Sequence, residues 1–314
     1  AWADGHGEAT FVGSSGRVFP RSFKASPLLR AWLHQLNERG VAVETRKLWT
    51  GWDDNGALSF SDGSTSNANV CVLALGGASW PRLGADGNWV SVLEGKGIKV
   101  APLVASNAGV NCKWSDMTIT RHAGAPLKRI AVTVAGRTVR GEAVISRTGL
   151  EGGVIYAVSR ELRDVLTASG HADLHLDLRP DLDVSKLTAR LAKVPRKQSL
   201  SNRLRKAAGL SPQAISVWRD CVHPQKFETD EALARSLKAV AVTVNGMQPI
   251  DRAISSAGGI ESSEFDENFM LTKLPGVFVC GERLDWDAPT GGYLLQACCA
   301  TGRAGGVGAA GVAR

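Results

Sequence analysis

The sequence has no run of 18 or more apolar residues, so it carries no segment long enough to cross a membrane as a helix. Its first ten residues, AWADGHGEAT, lack an initiator Met and have neither the basic start nor the apolar stretch of a secretory signal. Cys-x-x-Cys is missing, and no cysteine stands with histidines at zinc-finger spacing, which argues against a metal centre. His6, His34, His122, His171, His175 and His223 are scattered without a partner pattern. Neither a Gly-x-Ser-x-Gly elbow nor a His-Glu-x-x-His is present, which counts against hydrolases and zinc peptidases. The six cysteines fall mostly in apolar runs, where the thiol behaves as a small hydrophobe, and a reducing cytoplasm is the expected location.

Glycine, by contrast, is abundant: 35 of 314 residues, against a usual share of about 7%. The pairs Gly76-Gly77, Gly152-Gly153, Gly258-Gly259 and Gly291-Gly292 mark tight turns or close backbone approach to a ligand. At 44% hydrophobic and 21% charged, the composition is that of a globular protein, and the length suits about two domains. The net charge of +7 is local. Residues 179–226 hold eleven Lys and Arg against three Asp, which leaves the remainder close to neutral. A solvated face of short helices is the plain expectation there, with a nucleic-acid or acidic partner as the alternative. Trp218 is the lone aromatic of that segment, so base stacking is poorly supported and nucleic acid is not the expected partner.

The pattern predicts a helix over 27–39, with Ser26 as its cap and Leu28, Leu29, Trp32, Leu33 and Leu36 on one face. A short strand is expected at Val41–Glu44, and a hairpin from 47–52 and 57–60 around Asn55-Gly56. The run 70–75 suits a strand buried in a parallel sheet. Beyond about Ser106 the texture changes. A hairpin is expected around Gly136-Arg137, a helix over 154–167 and an alternating strand over 172–178. Three short helices follow, capped by Asp183, Ser199 and Ser211, then a helix near 230–238 and strands at 240–244 and 277–280. A helix from Tyr293 closes the chain. Gly306 to Gly311 matches G-x-G-x-x-G in letters, but no strand precedes it and three residues follow, so it reads as a small-residue helix face.

The strongest constellation runs from Val277 to Tyr293. A buried strand delivers Gly281-Glu282, then Asp285 and Asp287, and Thr290-Gly291-Gly292 opens the last helix. Carboxylates past a strand end can accept hydrogen bonds from sugar-type hydroxyls. A glycine-opened helix start offers bare N–H groups and partial positive charge to an anionic oxygen or a flat ring.

These segments occur in family order: Gly13 to Pro20, Leu75 to Ser79, Gly141-Glu142-Ala143 with Gly149 to Gly153, and Gly281 to Gln296. Together they resemble the BaiN/RdsA-like (YhiN-like) NAD(P)/FAD-dependent oxidoreductases, also labelled the aminoacetone oxidase family of FAD-binding enzymes. Trp286 and Ala288-Pro289 resemble a proteobacterial subgroup of these flavoproteins. The resemblance implies an α/β fold: an FAD-binding Rossmann-like domain of glutathione-reductase type, interrupted by a mixed β-and-helical insert. The expected parts are 1–104, 105–246 and 247–314. It further implies that Gly76 and Gly77 approach the cofactor, that Gly281, Glu282 and Asp285 face its ribityl and pyrophosphate portion, and that Gly291, Gly292, Tyr293 and Leu294 lie at the isoalloxazine edge. Leu48 would meet the adenine through its backbone, and Gly16, Arg17 and Phe19 would lie near the flavin. The family opens with a strand, a G-x-G-x-x-G and a ribose-binding acid that this sequence does not contain, so the expectation is an N-terminally truncated member. The implied activity is FAD-dependent oxidation or reduction of a small organic molecule, with NAD(P)H as reductant. The alternatives are a nucleic-acid-associated protein using 179–226 and a non-catalytic flavin binder.

Overall fold

Residues 2–13, 16–222 and 227–313 are described by the structure, a computed structural model. Ser14 and Ser15 of the first family-like motif, and His223, lie outside them. The chain divides into two compact units, 1–71 and 72–312.

In the first unit β1 (Thr10–Val12) pairs antiparallel with β2 (Val18–Pro20), and α1 (Ala25–Glu38) follows. The helix starts two residues earlier than the sequence predicts. Lys24 takes the cap position, no side chain caps the end, and Ser26 sits inside the first turn. Its apolar face is not buried: Leu29, Trp32 and Leu33 are 52%, 42% and 41% exposed. Residues 41–45 form no strand. The expected hairpin is present as β3 (Trp49–Trp52) and β4 (Leu58–Phe60), extended by β5 (Thr65–Ser66). Gly56 takes the left-handed turn conformation, φ +82°.

The second unit opens in β6 (Cys71–Leu73), which pairs with the buried strand β15 (Val277–Val279). The predicted strand over 70–75 is therefore shorter, and it is not fully buried, since Val72 is 39% exposed. Between these strands come α2 (Trp89–Glu94) and β7 (Val100–Ser106), which pairs with β14 (Ser255–Ile260).

A six-stranded closed barrel fills the stretch 110–247. Its strands are β8 (Val110–Cys112), β9 (Pro126–Val134), β10 (Arg137–Ile145), β11 (Gly149–Glu151), β12 (Ala172–Asp177) and β13 (Val240–Met247), in the order β10-β11-β8-β13-β12-β9. Strand β12 shows why it closes. Ala172, Leu174 and Leu176 point in while Asp173 and His175 point out, the period of two that separates a core face from a wet one. The turn between β9 and β10 holds Ala135 and Gly136 at φ +46° and +81°, the two positive values of a type I′ hairpin. The helices α3 (Asp116–His122), α4 (Gly153–Ala157), α5 (Ser159–Ser169), α6 (Val184–Ala192), α7 (Leu200–Arg203, continued by a π turn to Ala208), α8 (Pro212–Cys221) and α9 (Asp230–Lys238) accompany the barrel. The expected single helix at 154–167 is broken at Val158, whose φ and ψ of −109° and 14° leave the helical region. Asp183, Ser199 and Ser211 cap α6, α7 and α8 as predicted, each accepting a backbone N–H three residues on. Trp218 is fully buried in the core of this block, its Nε1 donating to Ser236 Oγ at 3.0 Å.

The chain ends in α10 (Tyr293–Val312), which contains the whole G-x-G-x-x-G match. The glycines explain its packing rather than a phosphate site. A Cβ at Gly308 would stand 2.9 Å from both Asn268 O and the Phe278 ring, and one at Gly305 3.9 Å from Val279 O, so α10 lies close against β15 through bare backbone. No helix among the described residues is long and apolar enough to cross a membrane.

Candidate functional site

Three segments of the second unit meet at the end of β15. The Glu282 carboxylate accepts the Ser256 N–H at 2.8 Å through Oε1 and the Gly77 N–H at 3.3 Å through Oε2. Ser256 Oγ in turn accepts the Ala78 N–H at 2.8 Å. Gly77 is buried, and a Cβ there would stand 2.5 Å from Ser256 Oγ and 3.0 Å from Glu282 Cδ. Glycine is required at this position because two side chains already occupy the space a third would need. The Gly76 carbonyl accepts Trp89 Nε1–H at 3.1 Å, and the fully buried Arg283 guanidinium lies 5.2 Å from the Trp89 ring centre.

Gly258 and Gly259 hold this junction from the other side, at φ +85° and +136°. Strand β14 runs between β7 and residues 283–286. Gly259 pairs with Ala101, Gly258 bridges Trp286, and the Asp285 N–H donates to Ile260 O at 3.0 Å. The acidic loop that follows is anchored at Asp287. Its carboxylate accepts Ser106 Oγ–H at 2.5 Å and pairs with the Arg163 guanidinium, which also donates to Ala105 O at 3.0 Å. Asn107 Nδ2 donates to Ala288 O at 2.7 Å and Ser255 Oγ at 2.8 Å. A cleft of about 380 Å³ opens here, lined by Pro102, Arg160, Gly258, Asp285 and Trp286 among others.

The anchored loop leads into Gly291 and Gly292, at φ +120° and +92°. A Cβ on Gly292 would meet nothing within 4 Å, so this backbone is open. The first bond of α10 runs from the Gln296 N–H to Gly292 O, which leaves the N–H groups before it directed out of the helix end. Tyr293 is exposed and Leu294 half-buried beside them. An anionic oxygen or the electron-rich edge of a ring suits that opening.

Of the residues singled out in the sequence, Gly76, Gly77, Gly281 and Glu282 are brought together. Gly281 stands at φ +83° and its N–H donates to Thr301 Oγ1 at 3.1 Å. Asp285 is exposed on the following loop, and Gly291, Gly292, Tyr293 and Leu294 form the helix start. The other four lie in the first unit. Gly16 closes a turn with its N–H on Gly13 O at 2.9 Å, Arg17 is exposed, and the Phe19 ring packs 5.9 Å from that of Phe11. Leu48 is 52% exposed and its carbonyl accepts the Ser61 N–H at 2.9 Å. Sequence reasoning missed Ser256, Asn107 and Arg163. The Gly258-Gly259 pair marked the region, but nothing in a single sequence ties Ser256 or Arg163 to residues far along the chain.

The vicinal cysteines of α10 do not both lie in the core. Cys298 is half-buried and Cys299 exposed. Burial, then the negative Glu282 beside it, pushes the Cys298 thiol up to about 11. Burial likewise raises Cys112 and Cys221 to about 12. At pH 8 a thiol titrating near 11 is thiolate only to about one part in a thousand. Mass mapping after brief treatment with a thiol reagent should therefore find Cys299 labelled and Cys112, Cys221 and Cys298 unlabelled. Equal labelling of Cys298 and Cys299 would contradict this arrangement.

The family model for the HI0933-like protein Rossmann domain matches residues 1–308. Among curated proteins, the chain is 26% identical to a 3-dehydro-bile acid delta(4,6)-reductase of Clostridium scindens, over 94% of this chain and 76% of that protein. It is 24% identical to the ribosomal RNA dihydrouridine synthase of Escherichia coli, over 78% of this chain and 61% of that one. The synthase of the same name from Haemophilus influenzae is 23% identical, and 56% of its length is covered. A solved 3-ketosteroid-delta4-(5alpha)-dehydrogenase of Rhodococcus jostii aligns over 90% of this chain and 63% of its own, with a TM-score of 0.40 and 15% identity.

Proposed function

Because the chain belongs to the HI0933-like Rossmann family of FAD-dependent oxidoreductases, we propose that it holds FAD at the loop 281–292 and the start of α10. The observation that carries this reading is the open backbone at Gly292 ahead of a 20-residue helix, on a loop held in place by the Asp287 and Asn107 anchors. The backbone there would meet the ring, Tyr293 and Leu294 would flank it, and Asp285 would accept cofactor hydroxyls. Gly76 and Gly281 would approach the cofactor through their backbone. Glu282 spends one acceptor position of each oxygen on Ser256 and Gly77, so its first task is to build the floor. The proposal rests on second-unit residues alone. The barrel block is proposed as the insert, 105–246, and 247–314 as the second part of the FAD-binding domain.

Bound FAD supplies hydride chemistry, while the chain orients it and sets its electrostatics. The partial positive charge of the α10 start would favour a ring edge that becomes negative on reduction. The relatives are named for a reductase and for dihydrouridine synthases, both reductions, so we infer transfer to an organic acceptor with NAD(P)H as the source. A small molecule is the first substrate class; ribosomal RNA, from the names of two relatives, is the second. The test is the visible spectrum of the purified protein during anaerobic addition of NADH and NADPH. Oxidised-flavin absorption that bleaches with one of them is the expected result. Bound flavin that neither reduces would remove the NAD(P)H linkage, and no flavin at all would remove the reading.

A further inference from the structure

Strands β9 and β10 fall out of step once. Gly141 pairs with Ile130 and Ala143 with Leu127, so Lys128 and Arg129 stand opposite Glu142 alone. Such a bulge re-aims side chains. Arg129 sits there at φ +54°, a left-handed conformation that costs a non-glycine residue energy and persists only where its surroundings hold it. Lys128, Arg129, Arg140, Pro180 and Asp181 line a cleft of about 410 Å³ that also touches Glu142.

The charges around this cleft do not balance. Asp181 is taken by Arg140, whose Nη1 lies 3.4 Å from its Oδ1 and whose Nη2 donates to Pro180 O at 3.0 Å. Asp177 is taken by Lys238 at 2.6 Å. Lys128 and Arg129 have no carboxylate partner among the described residues, which leaves the exposed Glu142 as the remaining acid on the rim. Arg179, next to Pro180, has a buried Nε with no hydrogen-bond partner among the described residues. Burial, and then the neighbouring Arg129, lower its pKa, while Asp181 acts in the opposite direction.

We propose that this cleft binds a phosphate group, carried either by a small nucleotide-type ligand or by a nucleic-acid strand. A phosphate supplies the acceptor oxygens and negative charge that Lys128 and Arg129 lack, and the planar fork of Arg129 suits two of its oxygens at once. The site lies on the barrel and stands independently of the flavin reading.

The test is titration of the purified protein with pyrophosphate by calorimetry, and with a short fluorescent RNA by anisotropy. The variant is Lys128→Ala/Arg129→Gly. Glycine adopts φ +54° without strain, so the bulge should survive the loss of the guanidinium. Lys96→Ala/Lys113→Ala, which removes two exposed charges elsewhere on the chain, controls for net charge. The proposal expects binding to fall about tenfold or more in the double variant and little in the control. For RNA, the slope of log affinity against log salt should fall by about 1.4, for two lost phosphate contacts. Weaker binding of both ligands places one phosphate site at the cleft that serves either source, loss of pyrophosphate binding alone places it on small phosphates, and loss of RNA binding alone places it on a strand. Failure of the wild type to bind either, or equal binding by the double variant, would overturn the proposal. Flavin content should stay unchanged throughout, which keeps this test separate from that of the cofactor site.

Discussion

Gly258→Ala should lower the stability of the protein by roughly 3–5 kcal/mol, from strain at positive φ and overpacking together. The native φ is +85°, and the added Cβ would fall on the Pro102 carbonyl oxygen and within 3.0 Å of Ala101 O. Both are backbone atoms of β7, so neither can rotate away. Thermal unfolding should register a drop of roughly 5–8 °C for a chain of this length. Gly306→Ala is the matched contrast. It lies exposed within α10, its Cβ would meet nothing within 4 Å, and alanine should raise stability by up to about 1 kcal/mol. A Gly258→Ala protein as stable as the wild type would mean that β14 does not press against β7 as described.

Glu282→Ala should destabilise the protein even with no cofactor present, by about 3 kcal/mol or more. Two backbone N–H groups, of Gly77 and Ser256, lose a charged acceptor, and each such bond is worth about 1.5–3 kcal/mol. Glu282→Gln keeps one acceptor oxygen and turns an NH2 toward the other N–H, so an intermediate loss is expected. Denaturant unfolding of the flavin-free protein reads this directly. A carboxylate that served solely as an acceptor for cofactor hydroxyls would leave the flavin-free stability untouched, and that result would contradict the clamp.

Much of this was legible in the sequence because it is written in local chemistry. Asp183, Ser199 and Ser211 announce helices through their own side chains, and the alternation in 172–177 identifies a half-buried strand. Gly291-Gly292 marks the start of α10 for the same reason. The barrel was not legible, because closure depends on which strands pair: β8 joins β13 across more than a hundred residues, and no periodicity records a partner. The Glu282 clamp escaped for a related reason. A glutamate after a strand reads as an acceptor, but whether it serves a ligand or Ser256 and Gly77 is decided by residues distant in the chain. At α1 the apolar spacing correctly predicted the helix and did not predict its exposed face, since periodicity fixes which residues share a side and not what covers them.

On the reading proposed above, flavin lies against the open backbone at the start of α10. The most direct test is the flavin content of the purified wild-type protein and of Gly292→Val, read from the visible spectrum and from the flavin released on denaturation. Gly292 stands at φ +92° with open space where a side chain would go, so valine would force the backbone and fill the cradle together. FAD in the wild type, and loss of most of it in a folded Gly292→Val protein, are the expected result. Equal FAD in both, with α10 intact, would contradict it.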